Sequence, residues 1–193
     1  GVDPDFNDLI FENHKNYIGL ITNFQNKKYL INDRWLGKEN LNDWKKIKKK
    51  FNPSVIIAIN EGAQRKELSK IYTKSLINYI DKTAHVSKIT LSSMKDKKGI
   101  VINKFAYVSS NVELNHGVKI HVRCNIHHDV KIGEYSTLSP SCIILGGVKI
   151  GENSFIGSGT IINPNVNIGK NCVIGSGSVV TKDVADNLTV YGV

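Results

Sequence analysis

The sequence predicts a small α/β domain over residues 1–82 followed by a parallel β-helix over residues 83–193. Fourteen aliphatic residues recur at every sixth position from Ile102 to Val180, and a second series of mostly small or β-branched residues lies two positions before them. A fixed period of six is typical of hexapeptide-repeat β-helices and fits neither an α-helix nor simple strand alternation. Residues 1–82 lack this repeat, and their apolar runs alternate with segments of helical spacing. The sequence therefore divides into two parts of different architecture.

The N-terminal part predicts strands that alternate with helices. We expect a buried strand at residues 16–24, a helix at 40–50 capped by Asn40 or Asn42, a second buried strand at 53–60 and a helix at 64–80. Five aliphatic residues in a row at 55–59 indicate cover on both faces, as in a parallel sheet. Residues 9–11 resemble the end of an earlier helix, but no strand or glycine-rich loop precedes them. The predicted βαβ unit therefore looks truncated.

The β-helix should begin irregularly and then continue without a break. Ala84 and Val86 form a first hexad, but Val86 and Ile102 are sixteen residues apart, which is not a multiple of six. From Ile102 to Ala185 the register does not slip, so we expect no inserted loop. Three hexads make one triangular coil, and side chains eighteen residues apart should stack on one face. The ends of such a solenoid need caps or partners.

Composition and charge exclude several classes of protein. The 193 residues contain no run of about 18 apolar residues that predicts a transmembrane helix, and no secretory signal begins the chain. We therefore expect a cytoplasmic protein without membrane insertion. The net charge of +9 suits anionic small molecules. The lysine cluster at residues 45–50 has the spacing of the solvated face of an amphipathic helix, so we do not expect nucleic-acid binding.

The three cysteines, Cys124, Cys142 and Cys172, all fall in the inward-facing series of the repeat. Their number is odd and none forms a CxxC pair, which argues against a disulfide framework and a zinc site. We interpret them as small buried hydrophobic residues, and no side-chain nucleophile is predicted.

One stretch carries a resemblance to a known family. Residues 128–160 (HDVKIGEYSTLSPSCIILGGVKIGENSFIGSGT) and the following IGKNCVIGSGSVVTKDV resemble the bacterial sugar O- and N-acyltransferases related to sialic acid O-acetyltransferase and the bacillosamine-pathway N-acetyltransferase. The most specific element is HD-x-x-IG, followed eighteen residues later by GGVKIG. That family joins a Rossmann-like nucleotide-sugar domain to a left-handed β-helix, and residues 56–71 fit the second half of its first domain. The left-handedness is thus implied by the resemblance, against the usual right-handed rule.

The resemblance implies transfer of an acetyl group from acetyl-CoA to the 4-amino group, or to a hydroxyl, of a nucleotide-linked or related sugar. His128 would be the catalytic base, since a group that titrates near neutrality can take the proton of the attacking atom. Asp129 would orient the imidazole and favour its charged form. The backbone N–H of Gly146 would stabilise the developing oxyanion. His127 is the alternative base, because spacing alone does not separate the two neighbouring histidines.

The same resemblance implies a cofactor site between subunits of a homotrimer. Ser158, Gly159, Ser176 and Gly177 match the small positions along which the pantetheine arm lies, and small residues let a cofactor approach the backbone. Thr137 stands where some members place a second histidine near CoA. No metal is expected. The sequence also departs from the family, because the glycine-rich first loop has no counterpart and His121 stands where some members have a sugar-binding asparagine.

Three further functions are also compatible with the sequence. A sugar O-acetyltransferase of the sialic acid type would use the same residues on a hydroxyl acceptor. A metalloenzyme related to γ-class carbonic anhydrases would use His116 and His121, with His85 upstream, as ligands. A non-catalytic scaffold is the third alternative, because β-helices also serve as assembly domains and a fold alone does not give a function. The sequence does not name the sugar, the nucleotide or the residues of the acceptor pocket.

Overall fold

The computed structural model describes residues 20–21 and 35–192. Strand β1 (Leu20–Ile21) pairs in parallel with β2 (Trp35–Gly37). Helix α1 (Leu41–Phe51) and helix α2 (Gly62–Tyr72) follow. β1 falls inside the strand predicted at 16–24. The other residues of that strand, and the helix end predicted at 9–11, lie outside the described residues.

Helix α1 begins where the sequence predicts. The side chain of Asn40 accepts a hydrogen bond from the Asp43 backbone N–H at 2.9 Å, which satisfies one free amide of the first turn. The helix ends at Asn52, whose left-handed backbone (φ 45°) is a common way to close a helix. Trp44 and Ile47 are buried. Lysines 45, 46, 49 and 50 are exposed, so the solvated basic face is confirmed.

Helix α2 ends eight residues earlier than the sequence predicts. It stops at Tyr72, whereas Leu76 bridges Val55 and Ile80 belongs to a strand of the β-helix. The helical spacing of Leu76 and Ile80 arises because each is a core residue of another element. Residues 53–60 do not form a full strand either. Among the described residues, their one β-bridge is the parallel bridge between Val55 and Leu76. A Rossmann-like sheet is therefore not formed by the described part of the N-terminal region.

The β-helix consists of three parallel sheets whose strands are each two residues long. Face A, the seven-stranded sheet, contains β3 (Tyr79–Ile80), β5 (Val101–Ile102), β8 (Lys119–Ile120), β11 (Thr137–Leu138), β14 (Phe155–Ile156), β17 (Val173–Ile174) and β19 (Thr189–Val190). Face B, the six-stranded sheet, contains β4 (His85–Val86), β6 (Tyr107–Val108), β9 (Asn125–Ile126), β12 (Ile143–Ile144), β15 (Ile161–Ile162) and β18 (Val179–Val180). Face C, the four-stranded sheet, contains β7 (Glu113–Leu114), β10 (Lys131–Ile132), β13 (Lys149–Ile150) and β16 (Asn167–Ile168).

The register confirms the predicted parallel β-helix with coils of eighteen residues. Strands of successive coils pair eighteen residues apart, as Ile126 with Ile144 and Ile144 with Ile162. The sixth-position aliphatic residues all point inward and form one continuous core, which also holds the small inner series. The second residue of each strand is therefore inside and the first is outside, because successive side chains of a strand point to opposite sides. The chain coils in the order face A, face B, face C.

Both ends of the β-helix depart from the eighteen-residue coil. In the first coil the pairing offset is 22, as between Tyr79 and Val101, because the short helix α3 (Lys88–Ser93) and the loop after it occupy the position of a face C strand. The predicted irregular opening is thus confirmed. In the last coil the offset falls to sixteen, as between Ile168 and Val184. The prediction of an unbroken register to Ala185 is therefore wrong, because the chain shortens its corner by two residues after Val180.

A buried arginine fastens the N-terminal segment to face A. Arg65 of α2 is 1% exposed and donates to the carbonyl oxygens of Gly117 (3.0 Å) and Tyr135 (2.6 Å) in the β-helix. Burial lowers the pKa of Arg65 to about 10, so the guanidinium stays charged at neutral pH. Nearby, buried Lys119 donates to the Ala58 carbonyl at 2.6 Å. Residues 55–60 thus run over the outer side of face A.

The described helices contain at most eleven residues each, and none could cross a membrane as a long apolar helix does.

Candidate active site

His128 and Asp129 lie at the corner between faces B and C, in the turn that joins β9 to β10. His128 Nδ1 lies 2.7 Å from Asp129 Oδ2. The two side chains are 66% and 53% exposed, so a ligand can reach the pair from solvent. Asp129 has φ 61°, a left-handed conformation that Asn, Asp and Gly tolerate best. The corner geometry thus turns the carboxylate toward the neighbouring imidazole.

The same corner position repeats every eighteen residues. Asn111, Asp129, Gly147 and Asn165 occupy it in successive coils, with φ between 59° and 72°. Asn111 Nδ2 donates to Asp129 Oδ1 at 2.5 Å, so both oxygens of this carboxylate have a partner. The hydrogen bond from Asn111, followed by that from His128, holds the pKa of Asp129 below its usual range. Sequence reasoning missed Asn111, although the eighteen-residue stacking distance from Asp129 points to it.

Gly146 lies directly against the imidazole of His128. A β-carbon at Gly146 would stand 2.9 Å from Cε1 and 3.0 Å from Nε2 of His128. The carbonyl of His128 accepts a hydrogen bond from the Gly147 N–H at 3.1 Å, which fixes the two coils to each other. Among the residues that the structure describes, none accepts a hydrogen bond from the Gly146 N–H. The predicted oxyanion donor and the predicted base are therefore neighbours, and this donor is not used by the fold.

The contacts of the two neighbouring histidines show which of them is oriented to act as a base. His127 is half-buried, and within the described residues its ring makes no hydrogen bond or ion pair. His128 is the one that contacts Asp129. An ionised carboxylate only accepts hydrogen bonds, so Nδ1 of His128 must carry the proton. In the neutral ring this leaves the lone pair on Nε2, where it can take a proton from a bound acceptor. The arrangement can therefore perform general base chemistry.

The predicted pantetheine positions lie at a different corner, between faces A and B. Gly177 N–H donates to the Ser158 carbonyl at 2.8 Å, so Ser158–Gly159 and Ser176–Gly177 stack in adjacent coils. All four residues are exposed. A β-carbon at Gly159 or Gly177 would meet no atom within 4 Å, so the surface above these turns is open. Within one chain, the whole width of face B separates them from His128.

Thr137 is placed away from any open surface. It lies on the outer side of face A, is 2% exposed and donates through Oγ1 to the Asn60 carbonyl at 3.0 Å. The same oxygen accepts a hydrogen bond from Arg65 Nη2 at 2.9 Å. Its hydroxyl therefore serves the contact with the N-terminal segment, and it lies neither with His128 nor with the serine–glycine turns.

The histidines of the metal hypothesis are dispersed. His85 lies on face B and stacks on Tyr107 with ring centroids 5.1 Å apart. His116 Nδ1 accepts from the Lys98 N–H at 3.1 Å, and His121 Nε2 lies 3.0 Å from Asn60 Oδ1. Over residues 20–21 and 35–192, no three His, Cys, Asp or Glu side chains form a group that could hold a metal ion. The side chains of a single chain thus offer no support for the metalloenzyme alternative.

Comparisons with known proteins agree with the repeat and the fold. Residues 147–182 match the family model described as bacterial transferase hexapeptide (six repeats). No curated protein matches the sequence. Among solved structures, PerB from Caulobacter crescentus, in complex with CoA and GDP-perosamine, is 24% identical, with a TM-score of 0.75 over 81% of this chain and 74% of its own.

Two other structures cover more of the chain. WeeI from Acinetobacter baumannii is 21% identical, with a TM-score of 0.75 over 97% of this chain and 91% of its own. The acetyltransferase domain of PglB from Neisseria gonorrhoeae, in complex with acetyl coenzyme A, is 21% identical, with a TM-score of 0.72 over 93% of this chain and 81% of its own. Residues 147–182 therefore resemble the bacterial transferase hexapeptide repeat, and the chain shares the β-helix fold of PerB, WeeI and the PglB domain.

Proposed function

We propose that the protein is an acetyltransferase that moves an acetyl group from acetyl-CoA to the 4-amino group of a nucleotide-linked sugar. The observation that carries the proposal is the arrangement of His128, Asp129 and Gly146. An oriented imidazole lies against Gly146, whose backbone N–H has no acceptor among the described residues. The similar structures support it, since they include a GDP-perosamine N-acetyltransferase with bound CoA and an acetyltransferase domain with bound acetyl coenzyme A.

The chemistry follows from this geometry. The acceptor nitrogen attacks the thioester carbonyl, while Nε2 of His128 takes the proton that the nitrogen loses. A C–N bond forms and the C–S bond breaks, and the leaving CoA thiolate takes the proton from the imidazolium, which restores the neutral base. The imidazolium that forms is stabilised by the ionised Asp129, and the Gly146 N–H stabilises the negative charge on the carbonyl oxygen. Transfer is direct, with no covalent enzyme intermediate and no metal.

The cofactor would lie between subunits of a homotrimer. Gly159 and Gly177 leave the backbone open to an extended pantetheine arm, but they are separated from His128 by face B within one chain. A neighbouring subunit is needed to bring the two corners together. Ile143, Ile161 and Val179 are half-buried on the outer side of face B and offer apolar area for such a contact. Because residues 55–60 lie on face A, away from His128, we place the acceptor pocket between the domain at 1–82 of one subunit and the β-helix at 83–193 of a neighbouring subunit, in a cytoplasmic enzyme of surface glycan synthesis.

The test is thiol release from acetyl-CoA in the presence of single acceptors. The panel contains GDP-perosamine, dTDP-4-amino-4,6-dideoxyglucose and sialic acid, and it compares the full chain with its His128→Ala variant. We expect release with a 4-amino sugar and a loss in the variant of at least 10²-fold, the lower end of general base contributions. Release with sialic acid alone would favour the O-acetyltransferase alternative. No release with any acceptor would contradict the proposal and favour a scaffold.

A further inference from the structure

We infer that Asn111 is a positioning residue for His128, because its amide holds Asp129 in the orientation that keeps the imidazole proton on Nδ1. Asn111 Nδ2 donates to Asp129 Oδ1 at 2.5 Å, and Asp129 Oδ2 is 2.7 Å from His128 Nδ1. The three side chains form one chain of hydrogen bonds along the corner between faces B and C. The catalytic meaning of this chain rests on the proposed function, but its hydrogen bonds do not.

The β-helix itself brings Asn111 to Asp129. The two residues are eighteen apart and take the same left-handed conformation, with φ 59° and 61°. Their β-carbons therefore project in the same direction from adjacent coils, about 4.8 Å apart. An asparagine suits a left-handed corner for backbone reasons alone. The backbone does not explain the side-chain contact, however. Asn111 donates a hydrogen bond to Oδ1 of Asp129, the oxygen that does not contact His128.

This contact matters because the carboxylate is exposed. Asp129 is 53% exposed, so without a second partner its side chain can rotate and exchange His128 for water. The imidazole would then lose the acceptor that fixes its proton on Nδ1, and part of the population would carry the proton on Nε2. That tautomer has no lone pair on Nε2 and cannot accept the proton of an attacking nitrogen. Asn111 thus controls the fraction of the protein that is ready to act as a base.

The experiment measures the ring tautomer directly. The ¹⁵N chemical shifts of the neutral His128 ring report which nitrogen carries the proton, and no substrate is needed. Asn111→Gly removes the side chain and keeps a residue that accepts the left-handed backbone. Asn171→Gly is the matched control, since Asn171 has φ 54° and donates to Asn187 Oδ1 at 3.0 Å at a corner remote from His128.

We expect the native protein and Asn171→Gly to carry the proton on Nδ1 and Asn111→Gly to populate both tautomers. With the best acceptor of the panel, kcat of Asn111→Gly should fall about tenfold and KM should change little, because a positioning residue acts on the base rather than on binding. Asn111→Asp keeps a side chain that tolerates this backbone but replaces the donor by a second carboxylate. Its kcat should fall further, through repulsion of Asp129.

An unchanged tautomer in Asn111→Gly would overturn the inference, and so would an equal fall of kcat in Asn111→Gly and Asn171→Gly. If the native protein turns over no acceptor, the proposed function fails. The tautomer measurement still decides whether Asn111 orients the pair. Thermal unfolding of both glycine variants shows whether the fold is equally retained, and Asn111→Asp provides the decisive comparison if Asn111→Gly is the less stable.

Discussion

Nε2 of His128 lies 3.0 Å from the point that a β-carbon of residue 146 would occupy. The imidazole therefore occupies space that a side chain at residue 146 would fill. Gly146 does not have a positive φ, so its lack of a side chain is required by the contact with His128 rather than by the backbone.

Gly146→Ala should lower activity while the fold is retained. The added methyl group would stand 2.9 Å from Cε1 of the imidazole, so the ring must shift from its position beside Asp129. We expect kcat to fall about 10-fold to 100-fold. The free energy of unfolding should change no more than it does for a typical substitution of an exposed residue. The check is a double-mutant cycle in which Gly146→Ala is combined with His128→Ala. If alanine at 146 costs as much activity without His128 as with it, the methyl group does not act through the imidazole.

Arg65→Met should release the N-terminal segment from face A. The change leaves several buried carbonyl oxygens, including those of Gly117 and Tyr135, without a donor. We expect local opening of α2 to become easier by about 3 kcal/mol or more. Amide hydrogen exchange should speed up in residues 62–72 and stay slow in the strands of the β-helix. Lys70→Met is the control, because Lys70 is exposed and pairs with Glu67 on the solvent side of α2. Equal exchange in both variants would contradict the role of Arg65.

Asp81 should make stability depend on acid pH. Burial alone would raise the pKa of Asp81, but hydrogen bonds from Thr83 and Tyr79 outweigh this effect and hold the pKa below its ordinary value of 3.8. The unfolded chain then binds the proton more readily, so the contribution is present above about pH 4 and is lost as pH falls through the folded value. Asp81→Asn should cost about 1–3 kcal/mol at pH 7.

The measurement for Asp81 is urea unfolding of the native protein and of Asp81→Asn at several pH values. The difference in the free energy of unfolding should shrink as pH falls below about 4, because the unfolded chain then binds a proton that the folded carboxylate does not yet bind. A difference that stays constant down to pH 3 would show that folding does not lower the pKa of Asp81.

The three cysteines should be inert in the folded protein. Cys124, Cys142 and Cys172 are at most 1% exposed and point into the core. The hydrogen bond with Cys142, together with burial, raises the pKa of the Cys124 thiol well above its ordinary value. We expect a disulfide reagent to react with the thiols only as fast as the protein unfolds, and with all three in denaturant. Rapid reaction of one thiol under native conditions would reopen the choice of a cysteine nucleophile.

The β-helix was predictable because its information is local and repeated. In each hexad the position of the aliphatic residue predicts which side chain points inward, and three hexads then make one coil of eighteen residues. The same arithmetic places Asn111 beside Asp129 and Gly146 beside His128, so this half of the site is within reach of the sequence. The two-residue shortening after Val180 was missed because apolar residues still fall at plausible positions there.

The contact between the two parts of the chain could not be predicted in the same way. Arg65 meets Gly117 and Tyr135 across 52 and 70 residues, and no period connects these positions. The sequence therefore did not show that residues 55–60 cover face A or that Thr137 lies under them. The predicted helix was too long because Leu76 and Ile80 have helical spacing in the sequence. In the structure Leu76 forms a bridge with Val55, and Ile80 belongs to strand β3.

The most direct test of the account compares two neighbouring residues. His128→Ala and His127→Ala are measured for acetyl transfer from acetyl-CoA to the acceptor that the native protein prefers. Because His128 holds the contact with Asp129 and lies against Gly146, we predict a loss of at least 10²-fold in kcat for His128→Ala and a change of less than about fivefold for His127→Ala. Equal activities of the two variants, or the larger loss in His127→Ala, would contradict the assignment of His128 as the base.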